Sequence, residues 1–207
     1  TVYTVDLLGC GRSDKSSITY TNFVYVQMIS DFIKKIIGQK TDVIASGFSG
    51  SFVTMACHNE KELFNKIMLV NPPSLTQLKQ MPNRKDRLLK AALEIPIFGT
   101  LVYHMIVSRD NINNLFIEKM YYNPFHVDNQ MADAYYEAAH KGGYYTRFLY
   151  SSLAAKYINI NICHALKALD NSIYIVEGET EPNGKAVTDD YCASNPAIEV
   201  SVLKETK

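Results

Sequence analysis

The stretch TDVIASGFSGSFVTMAC, residues 41–57, decides how this chain is read. An apolar run, DVIAS, enters a turn of small residues, and SFVTMACHN continues from it with helical character. The question is whether one of the serines in that turn is a nucleophile. Nucleophilic serine chemistry needs an exposed hydroxyl, a nearby base and donors for the oxyanion. A sharp turn between strand and helix supplies much of this. Small residues two before and two after the serine tolerate the strained backbone, and the next residue offers its N–H at the helix N-terminus. In GFSGS, Gly47 takes the first small position, Ser49 the nucleophile and Gly50 the oxyanion donor, while Ser51 stands where a second glycine is expected. Ser46 and Ser51 fit less well, because neither has a small residue at both flanking positions.

The neighbouring segments give this turn a frame. TVYTVDLL at the start of the chain is β-branched and aromatic and stops at GCGRSD, so it reads as a strand ending in a turn. Thr21 can cap a helix whose Val26, Ile29, Ile33, Ile36 and Ile37 recur at helical spacing, with Gly38 past its end. KIMLVNPP, residues 66–73, is a continuous apolar strand stopped by a double proline. Strand, helix, strand, helix, strand, with continuous apolar strands, predicts a parallel sheet covered on both faces. Between 74 and 168 no strand is legible, only helix-like segments broken by MPNR, EIPIFG, YYNPF and HKGGYY. Strand character returns in NSIYIVEGE (171–179), followed by a helical GKAVTDDYCAS and a last strand in AIEVSVLKE (197–205). The expected class is α/β: a mostly parallel core from 1–73 and 169–207, with a helical insertion at 74–168.

Composition narrows the functions. With 207 residues, 47% of them hydrophobic, the chain can bury a substantial core. Twenty-one basic residues balance twenty-one acidic ones, and no basic run is long enough to suggest nucleic acid as a partner. Cys10, Cys57, Cys163 and Cys192 are widely spaced, with no metal-ligand pattern, which fits reduced thiols in a cytoplasmic protein. The most apolar window, 91–107, is interrupted by Glu94, Pro96, Gly99 and His104, and no membrane span is expected. GCGRSD half-resembles a dinucleotide-binding turn, but the polar SDKSSITYT follows where a helix should open, so no cofactor is expected. The tyrosines of the insertion, such as Tyr121, Tyr135 and Tyr144, can shape an amphipathic pocket or pack between its segments.

The order VDLLGCGRSD, helix, DVIASGFSGS, NKIMLVNPP resembles the middle of an α/β-hydrolase. DLLGCGRSD is similar to that family's D-x-x-G-x-G-x-S loop, the helical stretch after NPP stands where a cap domain is inserted, and SIYIVEGETEP resembles the strand before the catalytic acid. The resemblance implies a serine hydrolase acting on an ester, thioester or amide with an apolar portion. Ser49 would be the nucleophile, Gly50 an oxyanion donor, and Glu181 the acid, three residues after Gly178, with Glu179 as its rival. Family order is serine, acid, histidine, yet His58, His104, His126, His140 and His164 all precede Glu181. His58 lies nine residues after Ser49, about 13 Å along a helix. The expectation is therefore an internal stretch of a longer hydrolase, little active alone, its histidine beyond Lys207. The alternative is a non-catalytic small-molecule-binding protein on the same fold.

Overall fold

A computed structural model describes residues 1–207 as two compact units. One comprises Asn22–Met81 and Asn159–Lys207, the other Thr1–Thr21 and Pro82–Ile158. In chain order the first runs through α1 (Asn22–Phe32), β1 (Thr41–Ser46), α2 (Ser49–Asn59), β2 (Phe64–Val70) and the short α3 (Leu75–Leu78). The second holds α4 (Arg84–Glu94), α5 (Pro96–Ile106), α6 (Arg109–Leu115), α7 (Asn129–His140) and α8 (Thr146–Ala154). The chain then closes the first unit with α9 (Cys163–Ala168), β3 (Ser172–Gly178), α10 (Gly184–Ser194) and β4 (Glu199–Leu203).

The four strands form one parallel sheet in the order β1-β2-β3-β4, as the continuous apolar runs predicted. Phe64, Ile67 and Leu69 of β2 and Ile173 and Ile175 of β3 are buried in the middle of the sheet. From Ser51 to Cys57, α2 is buried on every side, which its run of apolar and small residues allows. Its Phe52 ring stacks on Tyr25 of α1 with centroids 4.9 Å apart. Helix α1 continues into one wider π turn, Ile33–Ile37, and ends at Gly38, whose φ of 70° is the left-handed cap expected there.

One expectation is corrected. TVYTVDLL is not a strand: residues 1–6 are exposed and take no place in the sheet, whose four strands all lie later in the chain. What the segment builds is a turn around Asp6, whose carboxylate accepts the Arg12 N–H at 2.8 Å and whose carbonyl accepts the Ser13 hydroxyl at 2.7 Å. The two compact units divide the chain at positions other than 73/74 and 168/169. Tyr20 donates its N–H to the Ser152 hydroxyl of α8 at 3.1 Å, which ties residues 1–21 to the helical unit. Residues 74–81 stay with the sheet unit, where the Asn159 amide donates to the carbonyls of Gln77 and Gln80.

In the helical unit, an Asn83–Asp86 capping box starts α4, and Pro96 at the first position starts α5. A small core of Ile112, Phe116 and Ala132 joins α6 to α7.

Candidate functional site

The C-terminal ends of β1, β2 and β3 are held level by hydrogen bonds. Gly47 donates its N–H to Val70 O at 2.9 Å, and Asn71 donates to Val176 O at 2.9 Å. Gly178 donates to the Asn71 side-chain oxygen at 3.1 Å. The turns that follow Ser46, Val70 and Gly178 therefore leave the sheet from one edge, where open parallel sheets bind ligands.

The sharp bend lies at Gly47. Its φ is +56°, and a Cβ built there would meet nothing within 4 Å. Phe48 is already helical in backbone (φ −58°, ψ −30°), and Ser49 is the first residue of α2. Ser49 is thus not the strained residue that the sequence reading made it; the left-handed conformation falls two residues earlier, on a residue without a side chain. Ser49 is half-buried, and its hydroxyl has no hydrogen-bond partner in the chain. Ser51 is fully buried and donates its hydroxyl to Phe48 O at 2.7 Å, a structural role.

Gly50, expected as an oxyanion donor, follows at the second position of α2. Its N–H already donates to Gly47 O at 3.1 Å. Gly50 is small for a packing reason, since a Cβ there would stand 3.0 Å from Leu69 Cδ2 of β2. The N–H groups of Phe48 and Ser49, at the positive end of α2, are the ones left without an acceptor. The sequence carried a signal for this. The small-residue rule applied to position 47 finds Ala45 two before and Ser49 two after, but a search for hydroxyls passes over a glycine.

The acidic residues after β3 separate into different jobs. Glu179 is exposed, and its carboxylate accepts the Glu205 N–H at 3.1 Å, fastening the turn to the segment after β4. Glu181 is half-buried; its backbone closes the turn, accepting the Gly184 N–H at 3.1 Å, and its carboxylate has no partner. The sequence reading missed Glu177. It continues the buried row Ile173, Ile175 of β3 and is only 6% exposed. Its carboxylate lies against the first turn of α10, 3.1 Å from where a Cβ on Gly184 would stand. Burial pushes its carboxyl above the ordinary glutamate value; a hydrogen bond to Thr188 opposes this, and Asp189 and Glu181 add to it. Asn71 was missed too. Its φ of +44° is a strained conformation that asparagine tolerates better than other non-glycine residues, and its side chain joins β2 to β3.

Neither histidine of the sheet unit hydrogen-bonds Ser49. His58 lies more than two turns along α2 and packs edge-on against His164, with ring centroids 5.2 Å apart. In the helical unit His104 stacks on His140 at 5.0 Å, and His140 Nδ1 lies 2.8 Å from Tyr136 O. No cluster of metal-ligating side chains is present, and the four cysteines are free thiols.

No protein-family model and no curated protein matches the sequence. Solved structures do match in shape. Over 97% of this chain and 70% of its own length, the 2-hydroxy-6-oxo-6-phenylhexa-2,4-dienoate hydrolase of Rhodococcus sp. strain RHA1 superposes with a TM-score of 0.70 at 16% identity. A bromoperoxidase from Bacillus anthracis gives 0.69 at 12% identity over 97% and 72%. A carboxylesterase of the thaumarchaeon Nitrososphaera gargenis gives 0.63 at 15% over 96% and 69%. The fold is that of the α/β-hydrolases. At these identities the likeness to the hydrolases is one of architecture, and the chain spans about 70% of their length.

Proposed function

We propose that the chain is an α/β-hydrolase-fold protein that holds a small carbonyl compound at the β1–α2 bend without forming an acyl-enzyme there. The observation that carries this reading is the positive φ at Gly47. In an elbow of this kind the strained residue presents the nucleophile, and the N–H after it meets the oxyanion. Gly47 presents no side chain, while the free N–H groups of Phe48 and Ser49 remain to receive a carbonyl oxygen. The positive end of α2 adds to that attraction. An ester, thioester or amide with an apolar portion fits these donors.

The unbonded hydroxyl of Ser49 favours a second reading, a serine hydrolase like the enzymes that share the fold, with Glu181 orienting a histidine. One set of measurements separates the two. Under the binding reading, p-nitrophenyl butyrate shifts the amide resonances of Phe48 and Ser49 without release of p-nitrophenol, and a fluorophosphonate probe leaves the chain unlabelled. Ser49→Ala keeps the shift at Phe48. Labelling of Ser49 that disappears in Ser49→Ala would establish the hydrolase reading instead.

A further inference from the structure

We propose that the α4–α5 pair is a docking ledge for an anionic lipid surface. On α5, Ile97, Leu101 and Met105 recur every four residues and so share one face, with Phe98 beside them; all are exposed, as are Leu88 and Leu89 of α4. The opposite face of α5 buries Gly99 and Tyr103. Exposed apolar side chains taken singly mean little, but a contiguous face of this kind marks an interaction site.

The face is built to point outward. A Cβ on Gly99 would lie 1.7 Å from Leu93 O, so the α5 backbone is pressed against the end of α4 at a 96° bend. Arg147, buried beneath, donates to Glu94 O and the Thr100 hydroxyl, both at 3.3 Å, and to Tyr144 O. The ledge is thereby fixed in shape. No single helix is long and apolar enough to cross a membrane, and the bend keeps the pair from doing so as one straight span.

Charge selects the partner. Arg84, Lys85 and Arg87, in the first turn of α4, are exposed and form no ion pair. The only carboxylates between residues 84 and 107 are already engaged, Asp86 by Lys156 at 3.2 Å and Glu94 by Lys90. The apolar face of α5 and three unpaired cations in the first turn of the adjoining helix suit acyl chains beneath negative headgroups.

Cosedimentation of the full chain with vesicles tests this. Phosphatidylcholine vesicles containing phosphatidylserine should carry the protein down, and pure phosphatidylcholine should do so poorly. Arg84→Glu/Lys85→Glu/Arg87→Glu should lower the partition onto anionic vesicles by about a hundredfold, each basic residue near such a surface being worth about fivefold. Ile97→Ser/Leu101→Ser should abolish it, and the circular dichroism of both variants should match the parent. Failure to bind anionic vesicles overturns the proposal, as does binding that neither variant reduces. A dimer that becomes monomeric in Ile97→Ser/Leu101→Ser would assign the face to a second copy and overturn it equally.

Discussion

The sheet unit and the helical unit handle the same kind of residue in opposite ways. In the first, apolar side chains of the central strands and of α2 are hidden: Phe64, Ile67 and Leu69 lie under helices and Phe52 lies under Tyr25. In the second, α5 is as apolar as any strand, yet Leu101 is 59% exposed and Ile97 86%. A central strand of a parallel sheet is flanked on both sides and covered on both faces, so its pattern reports its burial. A helix satisfies its own backbone and can stand at a surface with an apolar face uncovered. Hydrophobicity therefore reads out packing in the central strands and surface character along α5.

The sharpest way to break that comparison is a pair of truncations. Ile67→Ala in β2 should cost about 2–5 kcal/mol, from lost burial and the cavity left behind. Leu101→Ala in α5 should stay within about 0.5 kcal/mol of the parent. Urea unfolding followed by circular dichroism measures both, and similar losses for the two would erase the distinction. Asn71 offers an intermediate effect. Asn71→Ala should cost about 2 kcal/mol, since alanine resists the left-handed backbone and the Gly178 N–H loses its acceptor. Asn71→Gly restores the backbone freedom but not the acceptor and should recover about half of that loss. Equal losses would mean that the backbone conformation contributes nothing.

The same physics explains what the sequence made legible. Residues 64–70 and 172–178 are strands flanked on both sides, and GKAVTDDYCAS coincides with α10. TVYTVDLL carries the same chemistry but does not join the sheet, and sheet membership is not a property of the segment alone. The grouping of residues 1–21 with α8 depends on the Tyr20–Ser152 contact, made across 132 positions of chain, which no local pattern announces. At the site, the glycines and serines marked the bend, but they did not say which residue carries its left-handed backbone. The backbone chose Gly47, because a positive φ falls most readily on glycine. Glu177 was hidden by its charge: a glutamate ending an apolar strand reads as the start of a loop, whereas the alternation from Ile173 to Ile175 carries it inside.

Glu177 also supplies the smallest effect, and its sign can be worked out. Burial raises its carboxyl above the unfolded value, so the native state holds a proton that the unfolded state releases first. Stability from this group is greatest below the unfolded pKa and falls as pH rises through the interval up to the folded one. Above that interval a charged carboxylate is held against α10 at a net cost, only partly offset by the hydrogen bond to Thr188. Glu177→Gln keeps the shape and the hydrogen bonding but removes the charge. It should raise the melting temperature by about 2 °C at pH 7 and leave it unchanged at pH 3, where the parent carboxyl is already protonated. A variant less stable than the parent at pH 7 would mean that the ionised carboxylate is stabilised by the first turn of α10. In that case the helix terminus, and not burial, governs this end of the sheet.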